Sequence, residues 1–332
     1  MSKNGKSDLP LYVDNGIGLP SMRPPYPNMH MSTSSFFLKA DFNKVKNLCD
    51  RYLNDVIDGN RKYYPISNRV MFTWAKIVGD ARTDSYEVMG PMEEHDAVFF
   101  IPTLAVNYHL GIPVPSHFAF FPYRLYIDNA DGIVSGREVY GFNKGVGNFL
   151  GSEDPKKPNF TIQTLAYKTF GPDNLAKMED MVKITPMSSD ISSEDKTWCD
   201  AQQAKEGIKE AFKEAIEGGF WKNLIEESFD FFTYLFQPQG TQVFLKQFRD
   251  IHNGLHACYQ SVTEAPTTIN KFSGGGLYTQ KYKFQAFSLQ SEPIAEELGL
   301  ILDEDGCQEN LEGFWAESTI SLGLGEEIKK GS

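Results

Sequence analysis

Lys144 is the residue of this chain best suited to covalent chemistry, because it stands among apolar and glycine neighbours in Tyr140-Gly141-Phe142-Asn143-Lys144-Gly145-Val146-Gly147. An amine attacks a carbonyl carbon only when unprotonated, and a freely solvated lysine is uncharged about once in 2,500 molecules at pH 7. Taking water away disfavours the ammonium form and raises the reactive fraction. The protonated imine that follows withdraws electrons from the adjacent carbon, which permits loss of carbon dioxide, proton abstraction or aldol chemistry. Phe142, Val146 and Phe149 are the candidate walls of such a pocket. The plainer reading is a solvated lysine in a glycine-rich loop, and local sequence leaves both open.

The stretch from 126 to 147 resembles the acetoacetate decarboxylase superfamily. The matching features are Tyr126-Ile127-Asp128-Asn129 at a strand end, then Gly136-Arg137-Glu138, then a lysine six residues after the glutamate. In that family the lysine forms a Schiff base with a keto substrate, and Lys144 falls on it. Acetoacetate decarboxylase activates its lysine by desolvation or by a neighbouring cation, and the resemblance implies activation of the same kind here. Thr263-Glu264-Ala265-Pro266 and the strand, short helix and strand that follow also match, so the resemblance covers roughly residues 30 to 170 and 243 to 325. It implies an α+β fold, built on a large curved antiparallel sheet or closed β-barrel with peripheral helices, and assembly into homo-oligomers. It also implies a Schiff-base-forming lyase acting on a small keto acid or related carbonyl compound, by decarboxylation or by aldol condensation with dehydration. A non-catalytic small-molecule-binding protein that kept the fold is the other reading.

Residue by residue, the resemblance assigns Glu87 as the general acid/base. Thr73 stands where a strand glutamate is expected, and Gly145 where founding members have a second lysine. The substrate-binding arginine would fall near Met29-His30-Met31, which leaves His30, or the more distant Arg23, to meet a substrate. Arg137 and Glu138 are expected on opposite faces of a strand over 133–139, lining the pocket or forming a structural ion pair.

The elements that must position these groups follow from pattern. Proline, glycine and serine over residues 1–30 predict an extended arm, followed by one domain over 31–325 with a helical insertion at about 170–240. Asp41 is a natural helix cap before the apolar stripe of Val45, Leu48, Cys49 and Tyr52. Strands are expected at 70–78, 86–90, 97–101, 123–127, 133–139, 160–168, 243–248, 257–265, 277–287 and 314–322. Ser291 and Gly299 bracket a short helix. Residues 194–217 carry apolar residues at helical spacing, and Gly274-Gly275-Gly276 reads as a hairpin turn.

Composition excludes several classes. A chain of 332 residues, 41% hydrophobic and 13% aromatic, can bury a sizeable core. A formal charge of -12 and a pI near 5.0 argue against nucleic-acid binding. No apolar run is long enough for a membrane span and the first twenty residues lack the pattern of a secretory signal, so a cytoplasmic address without membrane partners is expected. The four cysteines show no paired spacing and are expected reduced and buried. His252 and His256 are separated by the helix-breaking Asn253-Gly254, and no metal or cofactor is expected.

Overall fold

The computed structural model describes residues 9–13, 21–79, 91–187, 196–200, 202–204, 206–207 and 239–328. Strand β1 (Tyr26–Lys39) leads into α1 (Phe42–Cys49), capped as expected by Asp41, whose carboxylate accepts from the Asn43 and Lys44 amides at 2.8 and 3.0 Å. A single π turn, Asp50–Asn54, continues the helix. The strands β2 (Arg61–Pro65), β3 (Arg69–Gly79), β4 (Met92–His109) and β5 (Ile112–Ile127) follow. Then come α2 (Ala130–Val139), β6 (Lys144–Gly151), β7 (Phe160–Ala166), β8 (Lys177–Pro186) and β9 (Lys196–Trp198). The rest comprises β10 (Gln239–Arg249), β11 (Ala257–Leu277), β12 (Tyr282–Ala286), α3 (Ile294–Leu298), β13 (Cys307–Leu311), β14 (Gly313–Leu322) and β15 (Glu326–Glu327).

These strands form one 15-stranded curved sheet. Within it β5, β10, β11, β14, β1, β3 and β4 are hydrogen-bonded in a ring, β4 returning to β5. Pairing is mixed, not purely antiparallel. β5 runs parallel to β6, because α2 crosses over between them and delivers the next strand in the same direction, and it pairs in parallel with β10 at Phe120 and Gln242. From β6 the sheet continues through β7, β8, β12 and β13.

The central stretches of β3, β4 and β5 are buried almost continuously, which explains their near-continuous apolar sequences. On the outer face, Phe72 and Trp74 of β3 pack on Phe160 of β7 with ring centroids 6.5 and 5.7 Å apart, and Phe72 meets Phe284 of β12 at 5.7 Å. The alternate residues of β3 and β4 face a cavity inside the ring. Val45, Leu48 and Cys49 of α1 close the main core from one side.

Several expectations need correction. Residues 133–139 are the C-terminal part of helix α2, not a strand. Asn129 caps that helix by accepting from the Asp131 and Gly132 amides at 3.0 and 3.1 Å, a signal that outweighs the β-branched residues behind it. Gly274, Gly275 and Gly276 lie within β11 and not in a turn. A side chain at 275 would press on Trp198 and the Trp315 carbonyl at 2.9 Å each, so glycine permits β11 to run under both rings. Ser291 does not cap α3, which has no side-chain cap; its hydroxyl accepts instead from the Tyr167 amide at 2.8 Å. Of the cysteines, Cys49 and Cys307 are buried and Cys199 and Cys258 exposed, all unbridged. β1 begins at Tyr26, inside the stretch expected as an arm, and β8 lies inside the stretch expected as insertion. Residues 208–238, with most of the expected helical pattern, and the strand expected at 86–90 lie outside the described residues. Among the described residues no helix is long and apolar enough to cross a membrane.

A buried charged cluster ties β11 to the ring. Glu264 accepts from the Tyr63 hydroxyl, from His117 Nε2 at 2.8 Å and from Arg61 Nη1 at 3.1 Å. Burial pushes its carboxyl up, but these partners together hold it below the usual range. The stabilisation is therefore present above the ordinary carboxylate pKa and lost as pH falls through the lowered value. Glu264→Gln should cost about 3 kcal/mol in urea unfolding at pH 7, because it removes the charge that pairs with Arg61 and accepts from Tyr63 and His117. The cost should shrink below pH 4.

Candidate active site

Lys144 is the first residue of β6, pairs with Leu125 of β5, and is 8% exposed. Two arginines fix its backbone. Arg137 of α2 donates from Nη1 to the Lys144 carbonyl at 3.1 Å. Arg124 of β5 donates to Asn143 Oδ1 at 2.8 Å and forms a fork to Glu292, with both oxygens 2.6 Å from Nη2. Tyr126 donates to the same Glu292 at 2.9 Å. The C-terminal Ser291-Glu292 segment is thus fastened to the loop that presents the lysine by charge-assisted hydrogen bonds from one arginine nitrogen and by the Tyr126 hydroxyl.

Small residues of α2 make room for the side chain. Gly132, Ser135 and Gly136 fall on one face at helical spacing and are buried. The Lys144 amine donates to the Gly132 carbonyl at 3.1 Å and lies 5.2 Å from the centre of the Phe142 ring. A methyl group at 136 would stand 2.8 Å from Lys144 Cε and 3.2 Å from Nζ, so only glycine lets the helix lie against the lysine.

The amine faces a cavity of about 150 Å³ inside the strand ring. Its walls come from alternate residues of neighbouring strands: Thr73, Ala75 and Ile77 of β3, and Asp96, Val98 and Phe100 of β4. Asp96 is the group that a reading of the sequence misses. It is 6% exposed, its Oδ1 has no hydrogen-bond partner among the described residues, and burial pushes its carboxyl up to about 7, against the opposing pull of the Lys144 charge. The strand expected at 97–101 begins just after it, whereas β4 starts at Met92 and includes it. The alternation of Glu94, Asp96, Val98 and Phe100 would have placed two acids on the face with two apolar residues.

The other candidates are placed as follows. Glu87 lies outside the described residues. Thr73 faces the cavity, its hydroxyl bonded to that of Ser35 at 2.9 Å. Phe142 lines the cavity, but Val146 is 46% exposed and Phe149 packs against His95 at 5.6 Å between ring centroids. Val146 and Phe149 are not among the cavity walls. His30 is exposed, bonds Thr319 at 2.9 Å and is not a cavity wall, whereas its neighbours Met29 and Met31 are. Strand alternation sends it to the other face. Arg23, on the chain before β1, does line the cavity and is exposed. Arg137 and Glu138, adjacent on a helix and not opposed across a strand, border a separate cleft outside the lysine cavity. Asp128 of the Tyr-Ile-Asp-Asn segment clamps His95, accepting from its amide and bonding Nδ1 at 2.8 Å each. Among the described residues, no three His, Cys, Asp or Glu side chains converge as metal ligands.

Together an amine and a carboxyl group that titrates near neutrality share one mostly apolar cavity, which suits attack on a carbonyl and local proton transfer. The Asp96 carboxyl also makes stability depend on pH. Below its ordinary value of 3.8 it is protonated whether or not the chain is folded. Between there and about 7 the unfolded chain releases a proton that the folded chain keeps, so stability falls as pH rises. Asp96→Asn, isosteric with the protonated acid, should gain stability over the parent in this window, reaching on the order of 3–4 kcal/mol above it. Urea unfolding at pH 4, 6 and 8 measures the difference, and one that shrinks with rising pH contradicts the assignment.

No protein-family model matches the sequence, and no curated protein matches it. Solved structures do. The chain is similar to acetoacetate decarboxylase from Legionella pneumophila subsp. pneumophila str. Philadelphia 1, with a TM-score of 0.54 and 12% identity over 98% of each chain. It is similar also to the enduracididine biosynthesis enzyme MppR complexed with pyruvate, with a TM-score of 0.51 and 10% identity over 94% of this chain and 93% of that one. At such identities the likeness is one of architecture, and it agrees with the ring of strands and the crossover helix: the chain has the acetoacetate decarboxylase-like fold.

Proposed function

We propose that the protein is an enzyme in which Lys144 forms an imine with a small keto acid or related carbonyl compound, in the manner of a decarboxylase or an aldolase-dehydratase, and Asp96 moves the protons. The observation that carries this reading is the convergence of the buried Lys144 amine and the raised Asp96 carboxyl on one cavity. The amine nitrogen attacks the carbonyl carbon, and the carbon–oxygen bond breaks. Asp96, as a carboxylic acid, supplies the proton with which the oxygen leaves as water. The resulting carboxylate can then take a proton from the carbon beside the imine, or return one to it. Asp96 thereby takes the role expected of Glu87. The likeness to acetoacetate decarboxylase and MppR supports an enzyme of this kind. Thr73, in place of the glutamate expected at that wall, favours the second reading, a small-molecule-binding protein that keeps the fold without turnover.

Incubation with a panel of aldehydes, ketones and keto acids in the presence of borohydride, followed by peptide mass spectrometry, separates the two. The enzyme reading expects a reduced adduct on Lys144 that disappears in Lys144→Ala. Absence of any adduct on Lys144 would favour the binding module. Asp96→Asn should slow adduct formation by about 10²- to 10⁴-fold, the usual contribution of a positioned acid. Gly136→Ala should slow it at least tenfold while leaving the circular dichroism spectrum unchanged, since its methyl group would displace the amine and not the sheet.

A further inference from the structure

The cavity constrains the charge of what enters it. In another protein, an apolar cavity of about this volume stays dry and takes up benzene. Here the wall is mostly hydrocarbon and thioether: Met29 and Met31 of β1, Val98 and Phe100 of β4, and Ile320 and Leu322 of β14. Thioether side chains adapt to apolar shapes without offering a charge. Among the described residues, two carboxyl side chains, Asp96 and Glu94, share the space with Lys144, and the one arginine on the wall, Arg23, is solvent-exposed and so belongs to the mouth.

Pyruvate or acetoacetate bound at Lys144 would hold its carboxylate within one or two bonds of the imine carbon. The carboxylate would enter the cavity beside two acids. The iminium balances its charge, but a mostly hydrocarbon wall replaces little of the water the carboxylate gives up, and the neighbouring acids oppose it. We propose that the substrate is a neutral, predominantly apolar carbonyl compound of about six to ten non-hydrogen atoms. This rests on, and narrows, the imine reading above.

Such a compound has no carboxylate to lose, so the chemistry open to its imine is proton removal and cleavage further along the chain. With a β-hydroxy ketone, the Asp96 carboxylate takes the proton from the carbon beside the imine, giving an enamine. The electron pair then expels the β-hydroxyl, which leaves as water with the proton that Asp96 returns. Hydrolysis of the conjugated iminium consumes the one water released when the imine formed, and frees Lys144 and an α,β-unsaturated ketone. The net change is loss of one water.

The test uses the whole protein and a pair of ketones that share one chain and differ at its end, a methyl group against a carboxylate: heptan-2-one and 6-oxoheptanoate, with pyruvate and acetoacetate alongside. Each is titrated in the presence of cyanoborohydride, and the concentration for half-maximal adduct on Lys144 is read by mass spectrometry, with exposed lysines as the reference for intrinsic reactivity. The expected result is half-saturation by heptan-2-one at a concentration at least tenfold below that for any of the three acids. Equal or tighter capture of an acid would overturn the neutral-substrate proposal and leave the imine reading standing. No adduct on Lys144 with any of the four would overturn both.

Discussion

The proposed chemistry depends on keeping water away from two groups that prefer it. Lys144 and Asp96 line one mostly apolar cavity, where burial raises the Asp96 carboxyl against the pull of the Lys144 charge. The carboxyl responds by holding its proton to near neutral pH, and it is this response that makes it serviceable as an acid and a base in turn. A solvated aspartate at the same distance would be a permanent anion and could give nothing back.

The architecture around the site follows from that need for dryness. A ring of strands offers an interior, while the aromatic layer of Phe72, Trp74, Phe160 and Phe284 covers β3 from outside. The crossover helix α2 plugs the interior from the side with glycine and serine, residues small enough for the lysine to extend along the helix. Rigidity comes from outside the cavity. Arg137 holds the lysine carbonyl and Arg124 holds Asn143, itself anchored through Glu292, so the backbone that presents the amine is fixed by groups that need not touch a substrate. Such a division keeps strong charge–charge contacts out of the space where they would compete with the reaction.

Local sequence determined a good deal. Lys144 among glycines and aromatic residues, the Asp41 cap, strands β3, β7, β10 and β14, and a ring-forming sheet of the family that the 126–147 segment resembles were all legible, because caps, periodicity and turn chemistry act over a few residues. Departures were legible too, among them Thr73 and Gly145 at positions where acid and cation were expected. What escaped was decided by neighbours distant along the chain. The alternation through Glu94 and Asp96 places Asp96 on one face of β4, but its carboxyl is raised chiefly because the assembled sheet buries it, with Glu94 and Asp128 adding to the shift. Residues 133–139 have the composition of a strand and become a helix because Asn129 caps them and a parallel crossover must connect β5 to β6. Charge, burial and the direction of a crossover are properties of the assembled sheet, set by which strands pair, and pairing joins residues far apart in sequence. The amine proposed as nucleophile could therefore be singled out from the sequence alone, whereas the carboxyl proposed as its proton partner shares a cavity with it only once the ring is built.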